Sequence, residues 1–278
     1  MRLVMLLLYL INCMHQFLQE LQIILSALRD WIIMLTLATL FFFTCNVGTV
    51  TMFGHTGPFF VFTQDSFAAL WFQYLVAHVV PSSVPIIVTG PLTAFAVQIK
   101  LSLLLAFIVT LPLLLYKIFS YISPALYERE QRILYGLTAP IAILFAGGVY
   151  FAYTYIVPVT FFVLYGYAVP LGATTFLAMN EFIGLTIALL LVGGVFFTLP
   201  VLMTLLTFVG VVARDFWWQK WRQAFITLLV VSAIITPDGS GVSMVLLSIP
   251  TTSLYLVGAM LSMRIGSTQK DISPEFNY

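Results

Sequence analysis

Apolar residues fall along this chain in long blocks, and polar residues collect in the short stretches between them. A helix that is apolar all round lies in a core or in lipid, and crossing a hydrocarbon layer about 30 Å thick takes roughly 20 residues of helix. Blocks of this kind run over Trp31 to Val47, Leu101 to Tyr121, Ile133 to Val157, Phe182 to Val212, Ala224 to Ile235 and Val242 to Met263. They predict six transmembrane helices. Pro112, Pro140, Pro200 and Pro250 fall inside four of them. Neighbouring helices satisfy the backbone groups that such prolines free, and the prolines predict bent helices and a concave body. A further block, Phe67 to Val80, is only 14 residues long and ends at Pro81-Ser82-Ser83. That length suits an interfacial or cap helix better than a crossing.

Composition agrees with a membrane protein. Of the 278 residues, 62% are hydrophobic and 8% are charged, whereas soluble domains carry about 25% charged residues. A globule of this size cannot hide so much apolar surface, which excludes a soluble enzyme domain. The net charge of +1 and the lack of a basic tract give no reason to expect a nucleic-acid partner. Cys13 and Cys45 have no metal or redox spacing, and His15, His55 and His78 are scattered, so neither a metal nor a cofactor is expected. No phosphate loop, nucleophile elbow or zinc motif occurs.

Orientation follows from Lys and Arg in short loops. With six spans and both termini inside, Arg2, Arg29, Lys117, Arg129, Arg132, Arg214, Lys220, Arg222, Arg264 and Lys270 lie inside, and only Lys100 of the 11 basic residues lies outside. A seventh span at Phe67 would place Arg29 and Lys117 on opposite sides. The expected organisation is one membrane domain over residues 1–278: an inside amphipathic segment over 1–30, a six-span core over 31–263 and a flexible inside tail over 264–278. Met1 to Met14 form an apolar run that reads as a signal peptide without a small-residue cleavage site, an interfacial anchor, or the product of a start codon placed too far upstream. The fifth span is short: 14 residues separate Arg222 from Pro237, about 21 Å of helix. It predicts local thinning of the bilayer or packing within a complex.

Three places stand out as candidate chemistry. The inside loop from Ser120 to Arg132 is aromatic, proline-turned and charge-dense; it is either a solvated positive-inside loop or a recognition site. Glu20 lies before the first span and shares the inside face with Glu130. Two carboxylates on one face would suit guanidinium groups, which present a planar fork to them. Thr198 lies mid-membrane before Pro200, where its hydroxyl bonds its own backbone or takes part in a polar contact with another helix. No Asp, Glu, Lys or Arg lies deep inside a predicted span. That argues against an ion-coupled transporter.

The run Ser123-Pro-Ala-Leu-Tyr-Glu-Arg-Glu-Gln-Arg132 resembles the loop between the second and third spans of the TatC family, the multispanning core subunit of the twin-arginine protein translocase. Gln98-Ile-Lys-Leu101, Pro112 with Leu115-Tyr116, Ala152-Tyr153 with Pro158, Phe197-Thr-Leu-Pro200, Thr236-Pro-Asp238 and Leu246-Leu-Ser-Ile-Pro250 resemble further family stretches in the same order, from about Phe17 to Arg264. The resemblance implies a receptor that binds twin-arginine signal peptides and moves folded proteins across a membrane on the proton-motive force, without nucleotide hydrolysis. It implies signal-peptide contacts at Glu20 and Glu130, with Arg132, Tyr127 and Pro124 around them. It also implies contacts with single-span TatA- and TatB-like partners at Thr198, Pro200, Thr236, Met244 and Pro250, and assembly into a homo-oligomer. Several positions depart from the family pattern: Phe17 stands for His, Gln22 for Arg, Gln131 for Arg, Thr198 for Glu or Gln, and Met244 for Gln. The Phe-rich, charge-poor composition resembles mitochondrially encoded membrane proteins, which points to a mitochondrial inner membrane with the matrix inside; a bacterial plasma membrane is the alternative. Two other functions remain open to the residues themselves, a small-molecule or ion transporter and a membrane insertase or respiratory-complex assembly factor.

Overall fold

A computed structural model describes residues 26, 29–52, 55–62, 66–80, 84–123, 128–167, 176–235 and 241–270. Helix α1 covers 29–44 and passes straight into strand β1 (Cys45–Met52), which pairs antiparallel with β2 (His55–Phe62). Helix α2 (Phe67–Val79) starts from Ser66, whose hydroxyl accepts the Ala69 N–H and caps it. Then come β3 (Ile86–Ile87), α3 (Thr93–Ile122), α4 (Glu128–Gly136), α5 (Thr138–Phe151), a π-helical turn (Ala152–Ile156) and α6 (Val157–Gly166). The chain continues with β4 (Leu177–Ala178), α7 (Met179–Phe208), α8 (Phe216–Gln219), α9 (Trp221–Ile235) and α10 (Val242–Lys270).

Among the described residues four segments are long and apolar enough to cross a membrane: Thr93–Tyr121, Leu134–Gly166, Met179–Phe208 and Met244–Arg264. The shorter apolar helices are Phe67–Val79 and Trp221–Ile234. The fold is mostly helical, but an expectation of helix alone is corrected by the β1–β2 hairpin. Asn46 and Val47, expected at the end of the first span, are strand residues; Val47, Thr49, Val50 and Thr51 are β-branched and favour a pleated backbone over a helix.

Four helix ends also differ from the apolar blocks. Helix α3 begins eight residues before Leu101 and runs through Lys100. The third span does not end at Val157 but passes Pro158 and reaches Gly166. A proline lacks the N–H that would bond the carbonyl four residues back; here the turn before it widens, with Val157 N–H bonded to Ala152 O, and the helix continues through a π-bulge. Helix α7 stops at Phe208, four residues short of Val212. Gly210 has φ +81°, and the Val211 and Gly210 N–H groups bond the Leu206 and Thr207 carbonyls at 3.1 and 3.2 Å, a Schellman stop that needs a glycine. At the other extreme, α10 runs on to Lys270, past the Arg264 at which the polar tail was expected to begin.

Helix α7 is the centre of the body, packed on α3, α5 and α10. Close approach depends on glycine. A Cβ on Gly193 would lie 2.6 Å from Ala152 Cβ, one on Gly194 would lie 2.6 Å from the Phe145 ring, and one on Gly258 of α10 would lie 2.7 Å from Pro200 Cα. Small residues let helix backbones touch where lipid gives no hydrophobic drive to associate. Buried hydroxyls mostly bond their own helices, as Thr110, Thr160, Thr204, Ser232, Ser248 and Thr251 do. Short parallel strands β3 and β4 lie just before α3 and α7, so these two helices set out from the same face.

Candidate functional site

The face at the far end of α3 holds the charge-dense run. Ser123 follows α3 directly and is 9% exposed. Its carbonyl accepts a hydrogen bond from Gln131 Nε2 at 2.9 Å, and its hydroxyl accepts one from the Tyr135 hydroxyl at 3.2 Å while donating to Ser120 O. Tyr135 also packs on the Tyr116 ring, 5.4 Å between centroids. Beneath them Phe119, Leu134 and Ile141 form a small buried cluster that Leu115, Val201 and Leu205 flank. Helix α4 is therefore tied to the end of α3 by two side-chain hydrogen bonds and an apolar seat. Gln131, where the family pattern has arginine, acts as one of the two ties.

Glu130 lies on α4, next to Gln131, and Arg132 is exposed one residue beyond it. Glu20, Pro124, Tyr127 and Thr236 lie outside the described residues, so the structure does not bring the two glutamates together or apart. What it adds at this face is Asp30, a residue not singled out in the sequence. The Asp30 carboxylate accepts hydrogen bonds from Lys117 Nζ at 3.0 Å and from Arg29 at 3.3 Å. Those cations, Lys117 first, hold its carboxyl below its ordinary value of 3.8. The pair joins residue 30 of α1 to the last turns of α3, so this part of α1 lies on the face where α3 ends. A sequence signal existed: Asp30 is an acid at the foot of an apolar block in a chain with only ten acids.

The mid-membrane candidates are inward-facing. Thr198 is 6% exposed and donates to Val195 O at 2.7 Å, so its hydroxyl proton stays within its own helix. Pro200 is buried under Gly258. On α10, the Met244 carbonyl accepts the Ser248 hydroxyl at 2.6 Å and the Pro250 carbonyl accepts the Ser253 hydroxyl at 2.7 Å. Of these four residues Pro200 lies at the α7–α10 contact, where Gly258 meets it and Met203; Thr198, two positions earlier, faces another side of α7. Trp217 stitches the connection that follows α7 to both helices: its Nε1 donates to Thr207 Oγ1 at 2.9 Å, and its carbonyl accepts the Tyr255 hydroxyl at 2.8 Å. No group of three His, Cys, Asp or Glu side chains able to hold a metal exists among the described residues.

Known proteins resemble the chain over most of its length. The family model for TatC, "Sec-independent protein translocase protein (TatC)", matches residues 24–250. The TatC protein of Cenarchaeum symbiosum is 33% identical over 192 residues, 69% of this chain and 73% of the relative. That of Aquifex aeolicus is 31% identical over 210 residues, 74% of this chain and 86% of the relative. That of Haemophilus influenzae is 31% identical over 184 residues, 66% and 71% of the two chains. A crystal structure of the twin-arginine translocase receptor TatC superposes with a TM-score of 0.70 at 26% identity, over 89% of this chain and 99% of that one.

Proposed function

Because this chain belongs to the TatC family, whose members are multi-pass membrane components of a protein translocase and not enzymes, we propose that it is a receptor for twin-arginine signal peptides. The observation that carries this reading is the seating of α4. Gln131 and Tyr135 both anchor it to Ser123, so the backbone that carries Glu130 is held to the end of α3. A pre-ordered group loses less entropy on binding, and the planar fork of a guanidinium meets a carboxylate through two parallel charge-assisted hydrogen bonds, a geometry an ammonium does not offer. Glu130 and Glu20 then receive the two arginines of the signal. Arg132, Tyr127 and Pro124 border the site, and the apolar stretch of the signal lies along the bent helices.

In this proposal α1 and α9 complete a six-span body with both termini inside. Single-span TatA- and TatB-like partners meet the α7–α10 side around Thr198, Pro200, Thr236, Met244 and Pro250. Since Thr198 is buried, the contact runs through Val195 and Leu202, which lie on the same face of α7 and are 51% and 36% exposed. The proton-motive force drives folded cargo across, copies of the chain assemble, and the membrane is the mitochondrial inner one.

A photo-crosslinker placed beside Glu130 tests the receptor role. A signal peptide with two arginines is expected to crosslink in membranes holding the protein. The same peptide with two lysines, or the arginine peptide with Glu130→Gln, should crosslink about tenfold less, the size of one charge-assisted hydrogen bond. Equal crosslinking in all three cases would show that the loop is only a charged loop.

A further inference from the structure

Lys100 differs from the cation at the other end of its helix. Lys117 meets the Asp30 carboxylate. Lys100 lies between Ile99 and Leu101, inside the apolar segment Thr93–Tyr121, and among the described residues its ammonium bonds a neutral oxygen alone, Asn180 Oδ1 at 2.7 Å. Asn180 is in the first turn of α7, so the Lys100 stem climbs along the apolar surface and leaves its charge level with the start of that helix, where the membrane meets water. An ammonium has three protons to donate, and Asn180 takes one. Both ion pairs among the described residues belong to Asp30; Glu181, the neighbour of Asn180, makes none with Lys100.

Beside this charge an open cleft of about 420 Å³ runs between α1, α3 and α7, with Lys100 at its rim and walls of Leu35, Leu103, Phe107, Ile187 and Leu191. We propose that the cleft binds an anionic phospholipid, with the headgroup phosphate on Lys100 and an acyl chain along the apolar walls. The two features ask for opposite chemistries a few ångströms apart, an anion and a hydrocarbon, and a phospholipid joins them in one molecule at this depth. A transmembrane helix of a partner supplies the hydrocarbon but needs an ionised carboxylate close to its span to supply the anion as well, a group that is rare there. The inference needs only that the chain is embedded in a membrane and does not depend on the signal-peptide reading.

Native mass spectrometry of the full chain, released from micelles with equal phosphatidylglycerol and phosphatidylcholine of matched acyl chains, tests it. Wild type is expected to retain phosphatidylglycerol over phosphatidylcholine by about fivefold, the effect of one lysine at a membrane surface. Lys100→Arg should keep that preference and Lys100→Gln should erase it. Leu103→Trp, which fills the cleft at an exposed position and leaves the charge, should lower retention of both lipids. Added inorganic phosphate should displace neither. Circular dichroism reports whether each variant is folded; if Lys100→Gln is not, Leu103→Trp and phosphate competition decide. Equal phosphatidylglycerol retention by folded Lys100→Gln, undiminished retention by Leu103→Trp, or displacement by free phosphate would overturn the proposal. So would Lys100-dependent binding of an apolar helical peptide with one glutamate in place of lipid, which would make the cleft a helix-docking site.

Discussion

Helices α7 and α9 are both apolar along their length, yet they hold very different places. Half of the apolar segment of α7 is buried within the protein, against α3, α5 and α10. Among the described side chains of α9, Leu228 and Ser232 are the buried ones, and Ile226, Val230 and Ile234 are exposed. Hydropathy does not separate the two, because lipid tails are as apolar as leucine and give no hydrophobic drive for one helix to bury itself in another. Shape separates them. Helix α7 has Gly193 and Gly194 where α5 crosses, and it offers Pro200 to Gly258 of α10. Helix α9 has no glycine. At 15 residues, about 22 Å of helix, it is also too short for an upright crossing of a 30 Å core.

The sharpest way to break this contrast is at the α5–α7 crossing. Gly148→Leu would drive a side chain into the Gly193 backbone and bring its Cβ within 2.8 Å of Phe197 Cβ. Neither partner is the yielding end of a side chain, so the expected loss is about 3 kcal/mol, the upper range for overpacking. Thermal unfolding in detergent measures it; an unchanged midpoint would mean that the crossing is looser than the structure has it. On α9, Ile234→Ala removes an apolar side chain of equal standing by hydropathy, and is expected to change the same midpoint by no more than about 0.5 kcal/mol, as for surface positions. A large loss there would mean that α9 is buried in the protein as isolated, for instance between copies of the chain.

The smallest effect concerns the link between α1 and α3. Lys117 and Arg29 lower the folded-state value of Asp30 below 3.8, so the contact contributes above pH 4 and is lost as the pH falls through that lower folded value. Between pH 8 and 5 it should not change, and because both side chains are more than a third exposed its worth is small. Trp31, next in sequence to Asp30 and edge-on to Phe107 at 6.2 Å, gives a readout. Tryptophan emission should show a transition below pH 3.8 in wild type that is missing in Asp30→Asn.

Much of the candidate site was legible one residue at a time. The charge-dense run at 128–132 announced itself because charge is rare in this chain. The role of Gln131 was not visible, since its partner is the Ser123 carbonyl and any residue there offers a carbonyl. Asp30 and Lys117 are 87 positions apart, and no local pattern pairs them. Lys100 misled in an instructive way. A charge marks the edge of an apolar block, but a lysine stem is long enough to let the helix begin eight residues earlier and still deliver the ammonium to Asn180. Pro158 misled similarly, because a π-bulge lets a helix continue where a proline ordinarily ends it. The hairpin signal was present in the β-branched run after Cys45 and was outweighed by the apolar character of the same residues.

The sequence alone determined that this protein lives in a membrane, roughly where its apolar helices lie, and which loop gathers its charge. Those properties are set by composition over windows of about 20 residues and need no knowledge of neighbours. The tertiary structure decided which faces of those helices meet protein and which meet lipid, where each helix stops, and which partner each scarce charge finds. Those depend on contacts between positions far apart in the chain, where a missing Cβ at Gly148, Gly193 or Gly258 or the reach of a Lys100 side chain has meaning only once another helix stands opposite.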